Sequence, residues 1–412
     1  MASESSAASR AASASLWRNR DYMLFWGGRT VSALGSSMSG IAFPLVILAL
    51  TRFPALAGLG GGLRVVPYVL FSLPAGALVD RWDRRRTMLF CDAARALTLA
   101  SIPLAWWAGR LSVAQLYAAT TIEGALFVFY NTANLSALPH LVARPQLAAA
   151  SARDEGAYYA AGLIGPTVGG LLYGVGRALP FLADALSYLL SALSLLLIKA
   201  DLRHEQPNRP RHLGADMLEG LAWLWCAPLI RALSLLDGAE TPVLSGLGLV
   251  VIVLAGQQGA SAATIGAIFS LAGIGGLLGA FMGAYVQTRL GFGRAIIGVR
   301  WALAALVPLY ALAPNALALG AITAGIYALS PVKNVALVSY ALPLIPEGLR
   351  GRVTGLWDLI PSATGAAGAA LTGLALQNFG PRLTIVVAAV IVLALALLTT
   401  LNPHIREAPP IA

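Results

Sequence analysis

Arg29, Arg64, Glu123, Asp237, Glu240 and Lys333 each fall inside a long apolar stretch of this 412-residue chain. A charge at that depth is costly in hydrocarbon, and where it is kept it usually serves a function. Glu123 lies near the middle of its stretch. A carboxyl group withdrawn from water there can carry a proton, unless a cation holds it ionised. Asp237 and Glu240 stand three apart on one helical face just before Pro242. Two such carboxylates discourage each other's ionisation. The plainer reading is neutralisation alone, with Glu123, Asp237 and Glu240 paired to Arg29, Arg64 or Lys333. Asp92 with Arg95, and Asp358, read as structural partners of neighbouring loops, and Asp184 as structural near one end of its stretch. His140, His204, His212 and His404 fall in loops, and Cys91 and Cys226 in or beside different apolar stretches. No metal-ligand cluster, disulfide framework, nucleotide loop or nucleophile–base pair can be assembled, so an enzyme is disfavoured.

The elements that carry these residues follow from composition. Hydrophobic residues make up 58% of the chain and charged residues 11%, with a mean hydropathy of +0.75. A soluble domain carries about a quarter charged residues, so lipid must solvate much of this chain. Apolar runs long enough to cross the bilayer are expected at 23–50, 56–79, 88–108, 113–138, 155–175, 179–199, 229–255, 262–286, 295–313, 316–342, 353–378 and 383–401. The first is too long for a signal-peptide core and is followed by further spans, so no cleavage is expected. The organisation expected is a disordered tail 1–22, a six-helix bundle 23–199, a polar linker with an amphipathic helix 200–228, a second six-helix bundle 229–401, and a tail 402–412.

The net charge of +10 is almost all arginine, Lys199 and Lys333 being the lysines. The arginines sit in short gaps between apolar runs rather than on a solvated basic face, which argues against nucleic acid. With both termini inside, the outer loops hold only Arg52, Arg110, Arg177 and Arg382 of the 28 basic residues. That asymmetry predicts an even number of crossings and cytoplasmic termini. The halves also echo each other at about 205 residues: LPHLVARP from Leu138 against LPLIPEGL from Leu342, and GALVDR at Gly76 against GAYVQTR at Gly283. Such echoes suit parallel repeats about an axis along the membrane normal.

The loop GALVDRWDRRR, with Gly76, Asp80, Arg81, Arg84 and Arg85, resembles the signature of the major facilitator superfamily between its second and third spans. Asp83 stands where the general pattern has Gly, as in the macrolide-efflux and enterobactin-exporter branch. LWRNRDYMLFWGGRTVSALGSS at the start, DAARALTL and RGRVTG resemble that branch too. A carboxylate beside several guanidiniums can form charge-assisted contacts, so Asp80 with Arg84 reads as a cytoplasmic latch between the halves, or else as a topology signal alone. GLIGPTVGG, with Gly162, Gly165, Pro166, Gly169 and Gly170, is similar to the superfamily's antiporter motif, with Ala161 in place of its leading Gly. Its alternative is tight packing, which is also the reading for Gly275, Gly279 and Gly283.

The resemblance implies twelve transmembrane helices in two six-helix bundles, all α, with spans 1, 4, 7 and 10 around a central cavity. Those four expected spans carry Arg29, Glu123, Asp237 with Glu240, and Lys333, and Tyr68, Tyr130, Asn131, Tyr327 and Asn334 become possible substrate contacts. The implied activity is proton-coupled efflux of a small drug-like molecule or secondary metabolite from a bacterial cytoplasmic membrane. The protein is expected to act as a monomer with the proton gradient as energy source and no cofactor. Export of an anionic metabolite or siderophore, or uptake by symport, is the alternative; Arg29, Arg64 and Lys333 would then bind the anion.

Overall fold

In a computed structural model, residues 16–79, 81–202 and 213–408 are described. They form helices α1 (Arg20–Thr51), α2 (Pro54–Val79), α3 (Arg84–Trp107), α4 (Val113–Leu141), α5 (Leu147–Val175) and α6 (Leu179–Leu197). A short α7 (Leu213–Cys226) precedes α8 (Pro228–Gln257), α9 (Ala262–Leu290), α10 (Phe292–Leu306), α11 (Ala316–Leu344), α12 (Arg350–Leu401) and a terminal α13 (Pro403–Arg406). Among the described residues there is no strand.

Ten of these segments are long and apolar enough to cross a membrane among the described residues. Two facts reconcile that number with the twelve spans read from the sequence. Helix α12 holds two crossings, because Gly380 adopts a left-handed φ of 73° ahead of Pro381 and turns the chain back. Only glycine takes that conformation without strain. Helix α5 falls short in hydropathy, its apolar residues diluted by Gly, Tyr and the charged Arg153–Glu155 run. The chain is therefore an all-α membrane protein of two six-helix bundles.

Local sequence explains the helix starts. Side chains of Asn19, Asp83, Ser112, Ser261 and Asn315 accept hydrogen bonds from backbone amides in the first turns of α1, α3, α4, α9 and α11. Each satisfies a donor that a helix start leaves bare. Asp83 thereby gains a role that its departure from the superfamily signature left unexplained: its carboxylate caps α3 at Arg86 N, 3.0 Å away. One expected span, 295–313, ends differently, changing after Leu306 to a 3-10 turn Val307–Leu312 where Pro308 removes an amide donor.

The basic loops gather at one end of the bundles, hereafter the basic end. It holds Arg20, Arg81, Arg144 and Arg350, while Arg52, Arg110, Arg177 and Arg382 lie at the far end. The bundles meet along two seams, α2 against α12 and α5 against α9. Both seams are tight toward the far end. A Cβ at Gly58 or Gly62 would strike the carbonyls of Ala369 or Ala366, and one at Gly170 or Gly266 those of Ala262 or Pro166. Thr167 also donates to Ser270 Oγ at 2.7 Å across the second seam. Toward the basic end the same helices part: Gly162 of α5 and Gly276 of α9 have nothing within contact distance of the position a Cβ would occupy and line the space between the bundles. This is a conformation closed at the far end and splayed at the basic end.

Candidate functional site

The parted bundles enclose a central space in two adjoining lobes, of about 890 and 760 Å³. Tyr68, Tyr158 and Phe269 wall both. Arg29, Arg64, Glu123, Tyr130 and Asn131 face the first lobe; Asp237, Lys333, Tyr327 and Asn334 face the second. Glu240 is buried behind the wall. The charges that the sequence placed at membrane depth are thus turned inward, away from lipid.

In the first bundle Glu123 is the focus. Its Oε1 accepts from Arg95 Nη2 at 2.6 Å and from the Tyr188 hydroxyl at 3.2 Å, and Arg64 Nε lies 3.3 Å from Oε2. Arg95 stacks its guanidinium over the Tyr188 ring, 4.0 Å from the centroid. Its side chain is 1% exposed, whereas that of Arg64 is 35% exposed. One carboxylate therefore faces two cations, one walled in and one partly exposed to the cavity. Arg29 makes a separate pair with Asp154 at 2.7 Å and donates to Asn134 and Asn131.

The second bundle answers differently. Arg300, 1% exposed, reaches Asp237 at 2.9 Å and Glu240 at 2.8 Å, and Lys333 reaches the same two at 3.2 and 2.7 Å. Two carboxylates and two cations close into a neutral square. Its components come from α8, α10 and α11, so the square ties three helices together.

Several pairings differ from those the sequence suggested. Arg95 serves Glu123, not Asp92, because it projects toward α4 and α6. Glu123 pairs with Arg64, and Asp237 and Glu240 with Lys333, as the neutralising reading allowed, but Arg95 and Arg300 join them and Arg29 does not. Asp184, by contrast, is structural as read: it is fully buried and accepts from Ser39 Oγ at 2.5 Å and Ser187 Oγ at 3.2 Å. Asp358 faces the second lobe instead of a loop. Sequence reasoning missed Asp154 and the roles of Arg95 and Arg300. One signal was available for the arginines: Arg300 follows Arg95 by the repeat interval of the two halves.

The loop motif lies at the basic end. Asp80 is outside the described residues. Arg84 is buried with its Nη1 2.5 Å from His140 Nε2, Arg85 donates to the Leu196 carbonyl at 2.5 Å, and Arg81 is exposed. Those contacts go to α4 and α6 of the same bundle. In the GLIGPTVGG segment, Gly165 and Gly169 press against Ser37 and Met38 of α1, Gly170 against α9, and Gly162 against nothing. Gly275, Gly279 and Gly283 pack on α11, the first two against the carbonyls of Ala324 and Ala328.

This geometry is that of a membrane carrier: two bundles, an open pocket between them, and charge at its wall. The family model of the Major Facilitator Superfamily matches residues 25–250, and the chain belongs to that superfamily of transporters. The multidrug efflux pump Tap of Mycolicibacterium fortuitum is 26% identical over 392 residues, 90% of this chain and 93% of that protein. The enterobactin exporter EntS of Escherichia coli is 26% identical over 393 residues, 93% and 92% of the two chains. Among solved structures, a bacterial homologue of the lysosomal transporter Spinster, inward-facing and unoccupied, superposes with a TM-score of 0.74 at 15% identity, covering 96% of this chain and 99% of that one. A bacterial homologue of ferroportin, also inward-facing, gives 0.69 at 18% identity, covering 94% and 98%.

Proposed function

We propose that this transporter exports a small drug-like molecule or secondary metabolite from the bacterial cytoplasm, in exchange for protons, by alternating access. The observation that carries the reading is the central cavity, sealed at the far end and splayed at the basic end, with Glu123 in its wall. Arginine enrichment supports placing the basic end, and both termini with it, in the cytoplasm. The cavity in this conformation then loads from inside. Similarity to Tap and EntS supports the outward direction.

Glu123 offers a route to coupling. Its proton-free form is held by Arg95, Tyr188 and Arg64 together. A proton arriving on Oε2 removes the charge that retains Arg64 and frees that partly exposed guanidinium to move. Asp80 with Arg84 would latch the cytoplasmic side in the opposite state, when the far end is open. Protons supply the energy, no cofactor is needed, and one chain carries the complete cavity, so the working unit is a monomer.

Everted membrane vesicles from a host stripped of its own pumps test this. Energised vesicles should accumulate a fluorescent substrate, lose it when the proton gradient is collapsed, and fail to accumulate it with Glu123→Gln present at normal levels. Accumulation indifferent to the gradient would overturn the coupling.

A further inference from the structure

The second lobe contains a charge that no ion pair neutralises among the described residues. Asp358, on α12, faces the cavity and makes no ion pair among the described residues; the hydrogen bond at this residue is to its backbone carbonyl, from Ser362 Oγ at 2.7 Å. The other charges at this lobe are Lys333 and Asp237, both committed to the closed square with Arg300 and Glu240. In the first lobe Arg29 is taken by Asp154, and the one positive charge by which Arg64 and Arg95 exceed Glu123 is offset by Glu155 in the same lining. The second lobe therefore presents one uncompensated negative charge.

Aromatic rings share its walls. Tyr68 comes from α2, Tyr158 and Tyr159 from α5, Phe269 from α9, Tyr327 from α11 and Trp357 from α12. Both bundles contribute. Rings with electron-rich faces beside a bare carboxylate attract an organic cation, by cation–π contact and by charge. An anion entering here meets repulsion at Asp358, and a neutral molecule leaves that charge unmatched.

We propose that this lobe binds the cationic nitrogen of an aromatic, amphipathic substrate, with Asp358 as counter-ion and the tyrosine-rich walls holding its apolar body. The proposal rests on the reading of the cavity as a substrate chamber and adds the sign of the substrate's charge. At about 760 Å³ the lobe suits a molecule of drug size.

The test is equilibrium binding by the purified full-length protein in nanodiscs of zwitterionic lipid, with no gradient imposed. The probes are cationic rhodamine 6G and anionic fluorescein, read by fluorescence anisotropy against empty nanodiscs. Rhodamine 6G should bind more tightly than fluorescein, Asp358→Asn should weaken it about tenfold, and Asp358→Glu should recover most of the loss. Thermal melting verifies that each variant is folded. Equal affinity of wild type and Asp358→Asn for rhodamine 6G overturns the proposal, as does preference for fluorescein lost in Arg64→Gln. Because no transport is measured, either result leaves the vesicle experiment free to succeed or fail separately.

Discussion

The two bundles face the same physical problem, a carboxylate taken out of water, and solve it with unequal numbers. The first sets Arg64 and Arg95 against Glu123, leaving one positive charge over and one partner loosely held. The second sets Arg300 and Lys333 against Asp237 and Glu240, an even account with each cation touching both acids. A cluster with surplus charge can trade a partner for a proton. A balanced, cross-linked one has nothing to gain by opening. On the proposed function, the difference suits exchange in the first bundle and rigidity in the second.

The sharpest way to break that contrast is Arg300→Met. It strands two buried carboxylates with only Lys333 between them. Breaking a buried charge network by removing one partner costs about 3–5 kcal/mol. The expected outcome is a large fall in folded yield and in melting temperature in detergent. Adding Glu240→Gln to that variant should recover part of the loss, since one orphaned charge then disappears. A melting temperature unchanged by Arg300→Met would deny the square its structural role.

The seams come next. Gly58→Leu forces a side chain into the Ala369 carbonyl at the closed far end, and overpacking of this kind costs about 1–3 kcal/mol. The strain falls on the conformation described here and is relieved when the far end opens. Expected outcomes are loss of transport and increased labelling of far-end cysteine probes by impermeant reagents. The matching change at Gly76, where a Cβ meets nothing in this conformation, should leave far-end labelling near normal.

These contrasts separate what the sequence could disclose from what it could not. Membrane class and the even number of crossings were legible because bilayer thickness imposes run length and charge bias on each segment. The depth of Glu123 and Lys333 was legible for the same reason. Their partners were legible only in part: Arg64 and Lys333 were among the cations named, Arg95 and Arg300 were not. Which face of α3 meets α4 depends on helix packing angles, so Arg95 looked nearest to Asp92, three residues before it. Lys333 and Glu240 lie far apart in the chain and meet only because α8 and α11 cross. The twelfth span was legible as its own apolar run, although only the non-helical Gly380 separates it from the eleventh.

Arg64→Gln probes the loose partner directly. Glu123 keeps Arg95 and Tyr188, so stability should fall by only about 1 kcal/mol, in the range for loss of one charge-assisted contact. Transport should fall much further, because the group released by the proton is gone. If transport and melting temperature fall together in proportion, Arg64 is merely a structural counter-ion and the two bundles do not differ in kind.

The smallest effect is expected at the connection between the halves. Helix α7 rests on the start of α12, where Glu219 pairs with Arg352 and Gly220 packs against the Arg352 side chain. Both charges are partly exposed to solvent at the basic end. Exposed pairs of this sort contribute about 0–1 kcal/mol, so Glu219→Gln should leave the melting temperature within a degree or two of wild type. Its kinetic consequence is separable from its stability. The pair anchors the connector to the helix whose far half forms a seam with α2, so any swing of α12 carries α7 with it. Raising ionic strength screens an exposed pair and should reproduce the effect of Glu219→Gln on transport rate in the wild type, while having no further effect on the variant. Additive effects of salt and substitution would show that α7 follows α12 through its packing alone, and that the charge at Arg352 is set apart from the exchange of the first bundle and the square of the second.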